Sequence, residues 1–251
     1  MIYRRVNVKE KIRENDKTFT LLFDYELNVL PGQFAMVWLP NIDEFPMSFS
    51  YIGNFKGFTF KVIGEGTEKL SHLEKGDQFF IRGPYGSGYR EKGNSALYVA
   101  GGTGISSLAP FIESSHFKRK VAVIGARSRN DLYFIERISK NADELIIFTE
   151  DGSYGLKGVV TDALSDNFDS VYACGPEKMI RKIVDFYRFK NIELQASLER
   201  IMKCGIGICD SCTINGYRVC VDGPVFEKGD LINMNDLGII GRLPSGRRIK
   251  I

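Results

Sequence analysis

Four cysteines lie within seventeen residues near the C-terminal end of the chain, and they restrict the local fold more than any other feature. Their spacing is C-x4-C-x2-C-x7-C, and they are Cys204, Cys209, Cys212 and Cys220. The first three must share one tightly wrapped loop. Gly205 and Gly207 suit such a loop, because glycine adopts positive φ and lets backbone N–H groups approach the sulfurs.

The spacing of the first three cysteines matches the plant-type [2Fe–2S] loop, and a fourth cysteine downstream completes two thiolates for each iron. Nearby N–H groups would help set the reduction potential. The alternatives are a zinc site, a disulfide pair or chance spacing. Structural zinc sites usually show two separated C-x2-C pairs, and disulfides are uncommon without a secretory signature. The sequence therefore predicts that these four cysteines ligate a [2Fe–2S] cluster.

The composition is ordinary for a soluble globular protein. The 251 residues are 43% hydrophobic and 26% charged, with a formal net charge of +3, and they suffice for one to three domains. Basic residues are scattered, which argues against nucleic-acid binding. The charged N-terminal stretch lacks the apolar core of a signal peptide, and no apolar run approaches transmembrane length. We therefore expect a cytoplasmic protein that does not bind membranes.

Short runs of β-branched and aromatic residues fill the first part of the chain, residues 1–94. Turn signals such as Pro31-Gly32 and Lys75-Gly76 separate these runs. Regular short strands predict a small antiparallel barrel. The strands are expected at residues 2–11, 18–24, 33–39, 48–53, 57–63 and 77–82.

Three stretches of this predicted barrel are chemically unusual. Residues 45–50 place a proline before two serines that would share one face of a strand. Residues 64–67, Gly-Glu-Gly-Thr, follow the strand containing residues 59–61 and offer N–H groups and a hydroxyl to a phosphate. Residues 83–88 surround Tyr85 with turn formers, so this ring could stack on a flat ligand. Each stretch alone fits ordinary turns and core packing, but together and in this order they predict a flavin site.

Apolar runs alternate with helix-like segments from residue 95 onward. The runs are residues 96–100, 121–125, 145–149 and 171–174, and the helix-like segments are residues 106–114, 131–140, 161–165 and 177–189. This alternation predicts a parallel sheet with helices on both faces.

The turn at residues 100–106 follows a buried strand and opens a helix, where a dinucleotide pyrophosphate would lie. It is not the G-x-G-x-x-G fingerprint, because Ser107 is neither glycine nor alanine, and such a turn alone is a weak signal. Cys174-Gly175-Pro176 would lie at the same carboxyl edge of the sheet. Cys174 on its own is more often a small buried apolar residue than a functional thiol.

Two signals about the nucleotide conflict. Glu150-Asp151 after the third strand would bind ribose hydroxyls and disfavour a phosphorylated ribose. Arg127-Ser128-Arg129 after the second strand could instead attract a phosphate. We expect NAD, with NADP left open.

The last part of the chain, residues 196–251, contains the cysteine loop. Residues 213–226 predict a hairpin around Asn215-Gly216, with Cys220 on its second strand folding back over the loop. The basic end, residues 242–250, predicts a solvated surface.

Seven motifs in this order resemble the electron-transfer subunits of dihydroorotate dehydrogenase B, within the ferredoxin reductase superfamily. They are the flavin stretches at residues 45–49, 64–67 and 83–86, the nucleotide stretches at residues 99–104, 149–153 and 174–176, and the cysteine loop at residues 204–212. The resemblance covers nearly the whole chain, and the combination is more specific than any one motif.

The resemblance implies an α+β multidomain fold. It consists of a flavin-binding β-barrel (1–94), an NAD-binding α/β domain with a parallel sheet (95–195) and a small β-rich [2Fe–2S] domain (196–251). The candidate FAD-binding residues are Pro46, Met47, Ser48, Phe49, Thr59, Phe60, Lys61, Gly66, Thr67, Gly83, Tyr85 and Gly86. The candidate nucleotide-binding residues are Gly101, Gly102, Thr103, Gly104, Cys174, Gly175 and Pro176.

The resemblance also implies a partner and a direction of electron flow. Electrons would pass from dihydroorotate, oxidised on an FMN-containing catalytic subunit, through the cluster and FAD to NAD, in a heterotetramer with two copies of each chain. The cofactors supply the redox chemistry, and no catalytic triad is evident with only His72 and His116 in the chain. One position departs from the family pattern: Phe45 replaces an arginine that contacts the flavin pyrophosphate. FAD against FMN therefore stays open, with Lys61 or Lys69 as possible compensation.

Two other functions fit parts of this sequence. The same arrangement occurs in reductase subunits of ferredoxin–NADP transhydrogenases, sulfide dehydrogenases and hydrogenases. A zinc-containing interaction module on a cofactor-free barrel is an alternative from another class, and it predicts a colourless protein.

Overall fold

A closed six-stranded antiparallel barrel forms the N-terminal part of the computed structural model, which describes residues 2–251. Its strands are β1 (Arg4–Arg13), β2 (Thr18–Phe23), β3 (Phe34–Leu39), β4 (Asp43–Tyr51), β5 (Lys56–Lys61) and β6 (Gln78–Tyr85), paired in the order β1-β2-β5-β4-β3-β6. Helix α1 (Glu65–Ser71) connects β5 to β6. Alternate residues point inward, and buried Phe23, Phe58 and Phe79 pack together in the barrel core. The predicted barrel is confirmed.

A mostly parallel seven-stranded sheet follows. Its elements are β7 (Ser95–Gly101), α2 (Gly104–Ser114), β8 (Arg119–Ala126), α3 (Ile135–Ser139), β9 (Glu144–Thr149), β10 (Leu156–Lys157), β11 (Ser170–Cys174), α4 (Glu177–Tyr187) and β12 (Glu193–Ser197). The strand order is β10-β9-β8-β7-β11-β12-β15, in which β15 (Val225–Glu227) is antiparallel to β12. The parallel sheet predicted from the alternating pattern is confirmed.

The C-terminal part packs onto this sheet. It contains β13 (Thr213–Ile214), β14 (Tyr217–Arg218), β15, α5 (Lys228–Asn233), β16 (Ile240–Arg242) and β17 (Arg248–Lys250). Its buried residues Cys212, Cys220 and Phe226 share one apolar core with Phe34 and Met36 of the barrel strand β3. The cysteine loop is therefore packed against both other parts of the chain.

Some predicted elements begin or end elsewhere. The predicted strand at residues 48–53 begins at Asp43, because residues 43–48 pair with β3, with Pro46 opposite Met36. A helix was predicted at residues 131–140, but α3 covers only Ile135–Ser139 of that range. Phe134 adopts a φ of 64°, and such a residue interrupts a helix. The hairpin around Asn215-Gly216 forms, but the placement of Cys220 on its second strand was wrong, because β14 ends at Arg218.

Within residues 2–251, no helix is long and apolar enough to cross a membrane.

Candidate functional site: a nucleotide cleft and a cysteine loop

A cavity of about 590 Å³ lies between the barrel and the carboxyl edge of the parallel sheet. The barrel contributes Thr18, Lys61 and Ile63 to its wall. The sheet side contributes the carboxyl ends of β7 and β8 and the turns after β7, β8 and β11, at residues 101–103, 125–127 and 175–176. Ligands of open α/β sheets bind at this edge, so the cavity is the candidate nucleotide site.

The glycine turn after β7 is held close to the end of β11. The Gly102 N–H, on a residue with a φ of 55°, donates to the Gly125 carbonyl at 2.8 Å. A Cβ atom on Gly104 would lie 2.0 Å from the Cys174 carbonyl oxygen, so only glycine fits there. The structure thus brings the predicted nucleotide-binding residues together.

These residues do not all face the cavity. Gly101, Gly102, Thr103, Gly175 and Pro176 line it. Gly104 and Cys174 lie behind the wall, and burial raises the pKa of the Cys174 thiol to about 12. Cys174 therefore behaves as a small buried neutral group in this fold.

The acidic pair at residues 150–151 and the basic segment at residues 127–129 each place one charged residue at the cavity. Glu150 and Arg127 line the cavity. Asp151 instead accepts hydrogen bonds from the Ser153 hydroxyl at 2.6 Å and the Ser153 N–H at 2.9 Å, and these bonds lower the pKa of its carboxyl. Arg129 lies over the Tyr154 ring, 5.6 Å from its centroid. Of the pair Glu150 and Asp151, Glu150 is thus the one that lines the cavity.

Several cavity residues were not predicted from the sequence. Tyr133, Lys178, Lys182 and Glu199 line the cavity with the predicted groups. Glu199 is open to the cavity but closely surrounded by its walls, so desolvation, reinforced by the charge of Glu177, raises the pKa of its carboxyl. The available signal was an acidic residue just after the strand at residues 193–197, at the carboxyl edge of the sheet.

The predicted flavin stretch lies on β4. Residues 44–48 are only partly buried on the barrel surface. The side chains of Phe49 on β4 and Phe60 on β5 point into the barrel core, so they can meet a cofactor only through their backbone. Phe45 lies against Gly66, because a Cβ atom on Gly66 would be 2.4 Å from Phe45 Cε1. The residue that replaces the family arginine therefore covers the predicted phosphate turn.

The polar groups proposed for that turn are already hydrogen-bonded within the protein. Thr67 Oγ1 accepts from the N–H groups of Ile63 at 3.0 Å and Gly64 at 3.1 Å, and it donates to the Gly64 carbonyl at 2.9 Å. Lys61 Nζ lies 2.7 Å from Asp131 Oδ1. The expectation that the Thr67 hydroxyl is free for a phosphate therefore does not fit this conformation, and Lys61 is shared with a carboxylate.

A chain of buried, hydrogen-bonded hydroxyl groups connects strands β2, β4 and β5. Thr59 Oγ1 lies 2.7 Å from Thr20 Oγ1 and 2.8 Å from Ser50 Oγ, and Thr20 donates to Glu14 at 2.6 Å. These bonds satisfy polar side chains where β2, β4 and β5 pack under the α/β part. They fix the backbone of the predicted flavin strands.

The turn at residues 83–86 packs against other protein groups. A Cβ atom on Gly83 would lie 3.2 Å from Ala35 Cα, and one on Gly86 would lie 2.4 Å from Pro224 Cδ. The Tyr85 ring packs against Phe34, with centroids 5.9 Å apart. Stacking of Tyr85 on a flat ligand stays a prediction.

The cysteine loop wraps around its own sulfurs. The N–H groups of Ile206, Ile208 and Cys209 lie 3.4–3.5 Å from Cys204 Sγ, and the Gly207 N–H lies 3.2 Å from Cys220 Sγ. Gly205 and Gly207 have φ values of 66° and 81°, as the sequence predicted for a tight loop. Ile208 at the loop tip is 78% exposed, whereas Cys212 and Cys220 are buried.

The thiols of this loop differ in acidity. Burial acts to raise the pKa of Cys209, but hydrogen bonds involving Ser211 and Cys204 outweigh it and lower the pKa to about 6. Burial and the neighbouring Cys212 raise the pKa of Cys220 to about 12. Binding to iron requires all four groups as thiolates, so cluster binding would release protons.

The donor set fits a cluster better than it fits a disulfide framework. All four thiols are free in the described chain. Backbone N–H groups directed at ligand sulfurs are the contacts that stabilise cluster thiolates. Within residues 2–251, no group of three His, Cys, Asp or Glu side chains is arranged to hold a metal ion in this conformation. The residues present are compatible with a [2Fe–2S] cluster held by two pairs of thiolates.

Comparison with known proteins gives the family. A family model described as the iron–sulfur cluster binding domain of dihydroorotate dehydrogenase B matches residues 199–232. A Thermoplasma volcanium protein named as a probable dihydroorotate dehydrogenase B (NAD(+)) electron transfer subunit is 40% identical over 250 residues, which cover 98% of each chain. The chain belongs to this family of electron transfer subunits. A Pyrococcus furiosus member of the family, with the same name, is 43% identical over 249 residues, 97% of this chain and 98% of that one.

One solved structure has a fold similar to that of this electron transfer subunit. The structure of an NADH-dependent reduced ferredoxin-NADP oxidoreductase superposes with a TM-score of 0.78 and 26% identity, covering 92% of each chain. The fold of this chain is therefore similar to the fold of that oxidoreductase over 92% of its length.

Proposed function

We propose that this chain passes electrons between a dihydroorotate-oxidising partner and NAD, through a [2Fe–2S] cluster and FAD. The observation that carries the proposal is that one chain holds a cleft at the carboxyl edge of its parallel sheet and a four-cysteine loop on a common core, and matches an electron transfer subunit over 98% of its length. The bound cofactors supply hydride and single-electron chemistry, and the protein supplies their positions.

The nucleotide is bound at the carboxyl edge of the sheet. The glycine turn at residues 101–104 leads into α2, and we assign the pyrophosphate to the N-terminal end of this helix, since the Gly102 N–H is already bonded to the Gly125 carbonyl. Glu150 accepts hydrogen bonds from ribose hydroxyls, which favours NAD over NADP. Residues 174–176 position the nicotinamide end through close packing with the glycine turn.

The flavin is bound along β4 and β5, with Pro46, Met47, Ser48 and Lys61 facing it, Phe49, Thr59 and Phe60 contributing backbone groups, and Gly66-Thr67 near its phosphate. Phe45 contributes an apolar surface where the family pattern has a charged contact. We propose that the flavin is FAD, as the resemblance to this family implies. Gly83, Tyr85 and Gly86 support the edge of this site.

Cys204, Cys209, Cys212 and Cys220 ligate the cluster, and the exposed tip of the loop faces the partner. The partner is an FMN-containing catalytic subunit, with two copies of each chain in the assembly. The three functional units span residues 1–94, 95–195 and 196–251, and the protein acts in the cytoplasm. The shared core keeps these units at fixed separations.

The test is to purify the chain without oxygen, alone and together with the catalytic subunit, and to record visible and EPR spectra before and after adding NADH. Flavin bleaching with a [2Fe–2S] signal, and dihydroorotate-dependent NAD reduction only with the partner, would support the proposal. A colourless protein would contradict it and favour the zinc module. Flavin and cluster that respond to NADPH but not to NADH would contradict the nucleotide assignment.

A second candidate is a reductase subunit of a ferredoxin–NADP oxidoreductase, because a structure of that class covers 92% of this chain. The 26% identity to it is lower than the 40% identity to the dihydroorotate dehydrogenase B relatives. Ferredoxin-dependent NADP reduction in the assembled complex, without dihydroorotate oxidation, would favour this candidate.

A further inference from the structure

Arg82 on β6 is a charged residue buried at the junction of the barrel and the cysteine loop. Its side chain is 2% exposed. The guanidinium donates from Nε to Glu44 Oε1 at 2.5 Å, from Nη2 to Glu44 Oε2 at 2.9 Å and from Nη1 to the Cys204 carbonyl at 2.7 Å. One side chain thus bonds to two segments that are far apart in the sequence, at residues 44 and 204.

The first of these segments begins the predicted flavin strand. Glu44 is the second residue of β4 and directly precedes Phe45. Its carboxylate also accepts from the Tyr3 hydroxyl at 3.0 Å. The Tyr3 and Tyr85 rings lie on the guanidinium, with centroids 5.8 Å and 5.6 Å from Arg82 Cζ. A bidentate, ring-enclosed guanidinium has little freedom to move, so Arg82 is rigidly fixed to β4.

The second segment is the first turn of the cysteine loop. The Arg82 bond is made to the carbonyl of Cys204 itself, the first predicted cluster ligand. The next residue, Gly205, sits on the barrel, because a Cβ atom there would lie 2.8 Å from Met36 Cγ and 3.5 Å from Arg82 Nη1. The start of the loop therefore packs against β3 and β6, and the hydrogen bond from Arg82 holds it there.

We propose that Arg82 is a positioning residue that sets the distance between the flavin strand β4 and the cluster ligand Cys204. This inference rests on the proposed function, in which electrons pass between a flavin on β4 and a cluster on the loop. Electron transfer between two fixed centres slows steeply as their separation grows. A rigid connection between β4 and the cysteine loop therefore controls the rate. The Glu44 carboxylate neutralises the charge of the Arg82 guanidinium, so this side chain can remain buried.

Removal of Arg82 alone has two effects, which can be separated. It frees the loop, and it leaves the Glu44 carboxylate and the Cys204 carbonyl without their cation. In the variant R82M with E44M both charged groups are gone, so any remaining effect comes from the lost connection. Arg82→Lys keeps the charge but cannot reach both groups with a planar fork. Arg181→Met serves as the control, because Arg181 lies on α4 and bonds to Asp185 and the Asn235 carbonyl, away from the cysteine loop.

The experiment follows the holoprotein anaerobically after rapid mixing with NADH, and records flavin bleaching and cluster reduction as separate phases. We expect R82M and the double variant to slow the cluster phase several-fold, because the two centres are no longer held at their closest separation, while the flavin phase is unchanged. Arg82→Lys is expected to fall between these and the parent. Hydrogen–deuterium exchange at residues 204–208 should rise in all three variants and stay unchanged in R181M.

The outcomes are distinct. A normal cluster phase in the double variant would overturn the positioning role, since only charge would then matter. A normal cluster phase in R82M, despite faster exchange at the loop, would overturn it as well. If R82M does not retain its cluster, the rate in Arg82→Lys decides, and a parental rate there contradicts the proposal. If the parent protein shows no flavin bleaching with NADH, the proposed function has failed instead.

Discussion

Lys61 Nζ lies 2.7 Å from Asp131 Oδ1, and this ion pair joins barrel strand β5 to the segment before α3 at the wall of the nucleotide cavity. The hydrogen bond from Lys61 is the largest cause of a lowered pKa at Asp131. About one third of each side chain is exposed, so the pair adds little to global stability. Its importance is local, because it decides how much positive charge the cavity presents to a phosphate.

Asp131→Asn should therefore strengthen binding of phosphate-bearing nucleotides. Without the carboxylate, Lys61 is free to meet a phosphate, and we expect NADH affinity to rise about two- to fivefold, the range of a partly exposed ion pair. Asp131→Glu keeps the charge and is the control. Titration of NADH at low and high salt measures the effect, which should shrink as salt screens it. Equal affinities in the parent and the Asn variant at low salt would contradict this role.

The same pair predicts a pH dependence. The folded-state pKa of Asp131 lies below its usual value of 3.8, so the carboxylate stabilises the fold above that value. The contribution is lost as the pH falls through the lowered pKa, when Asp131 becomes protonated. We expect the parent to lose more stability than Asp131→Asn between about pH 5 and pH 2. Denaturant unfolding at a series of pH values tests this, and parallel curves for the two proteins would refute it.

Glu150 and Asp151 should differ in their effect on nucleotide choice. Glu150 faces the cavity, whereas Asp151 is bonded to Ser153 within its own turn. We expect Glu150→Gln to reduce the preference for NADH over NADPH about tenfold, the scale of one charge-assisted hydrogen bond. Asp151→Asn should leave that preference unchanged. The ratio of kcat/KM for the two nucleotides measures this, and a larger change in the Asp151 variant would reverse the assignment.

The features predicted best from the sequence are those that depend on residues close together in the chain. The cysteine spacing and its glycines predicted a tight loop, and Gly205 and Gly207 indeed have positive φ. The alternating pattern after residue 95 predicted the parallel sheet, because each strand and helix has its own periodicity. The glycine turn and residues 174–176 were expected at one edge, since parallel strands bring their carboxyl ends together.

What the sequence missed depends on contacts between distant segments. Nothing local to Arg82 indicates that it binds Glu44 and Cys204, and nothing local to Lys61 indicates Asp131. Cys220 was expected on a strand, because the residues after Asn215-Gly216 are typical of a hairpin, yet β14 pairs only two residues. Such pairings arise only when the barrel, the sheet and the cysteine segment pack together.

Gly104→Ala should disrupt the nucleotide site through packing alone. The added Cβ would lie 2.0 Å from the Cys174 carbonyl oxygen, so α2 and the end of β11 must separate. We expect a loss of about 1–3 kcal/mol of unfolding free energy, as overpacking usually costs, together with weaker NADH binding. Gly53→Ala, where a Cβ atom would meet nothing within 4 Å, is the matched control. A Gly104 variant as stable as the Gly53 variant would show that the turn can shift freely.

Cys209→Ser should remove the cluster while leaving the rest of the fold intact. Cys209 is exposed at the loop, so its replacement creates no cavity, but one of the four proposed thiolate ligands is lost. We expect iron content and the [2Fe–2S] EPR signal of the anaerobic protein to fall to background, and electrons from NADH to stop at the flavin. Cys174→Ser, a buried thiol outside the loop, should retain its full iron content. Iron and zinc are to be measured together in both variants, because unchanged iron in Cys209→Ser would overturn the ligand assignment, and zinc in the parent would identify a different metal site.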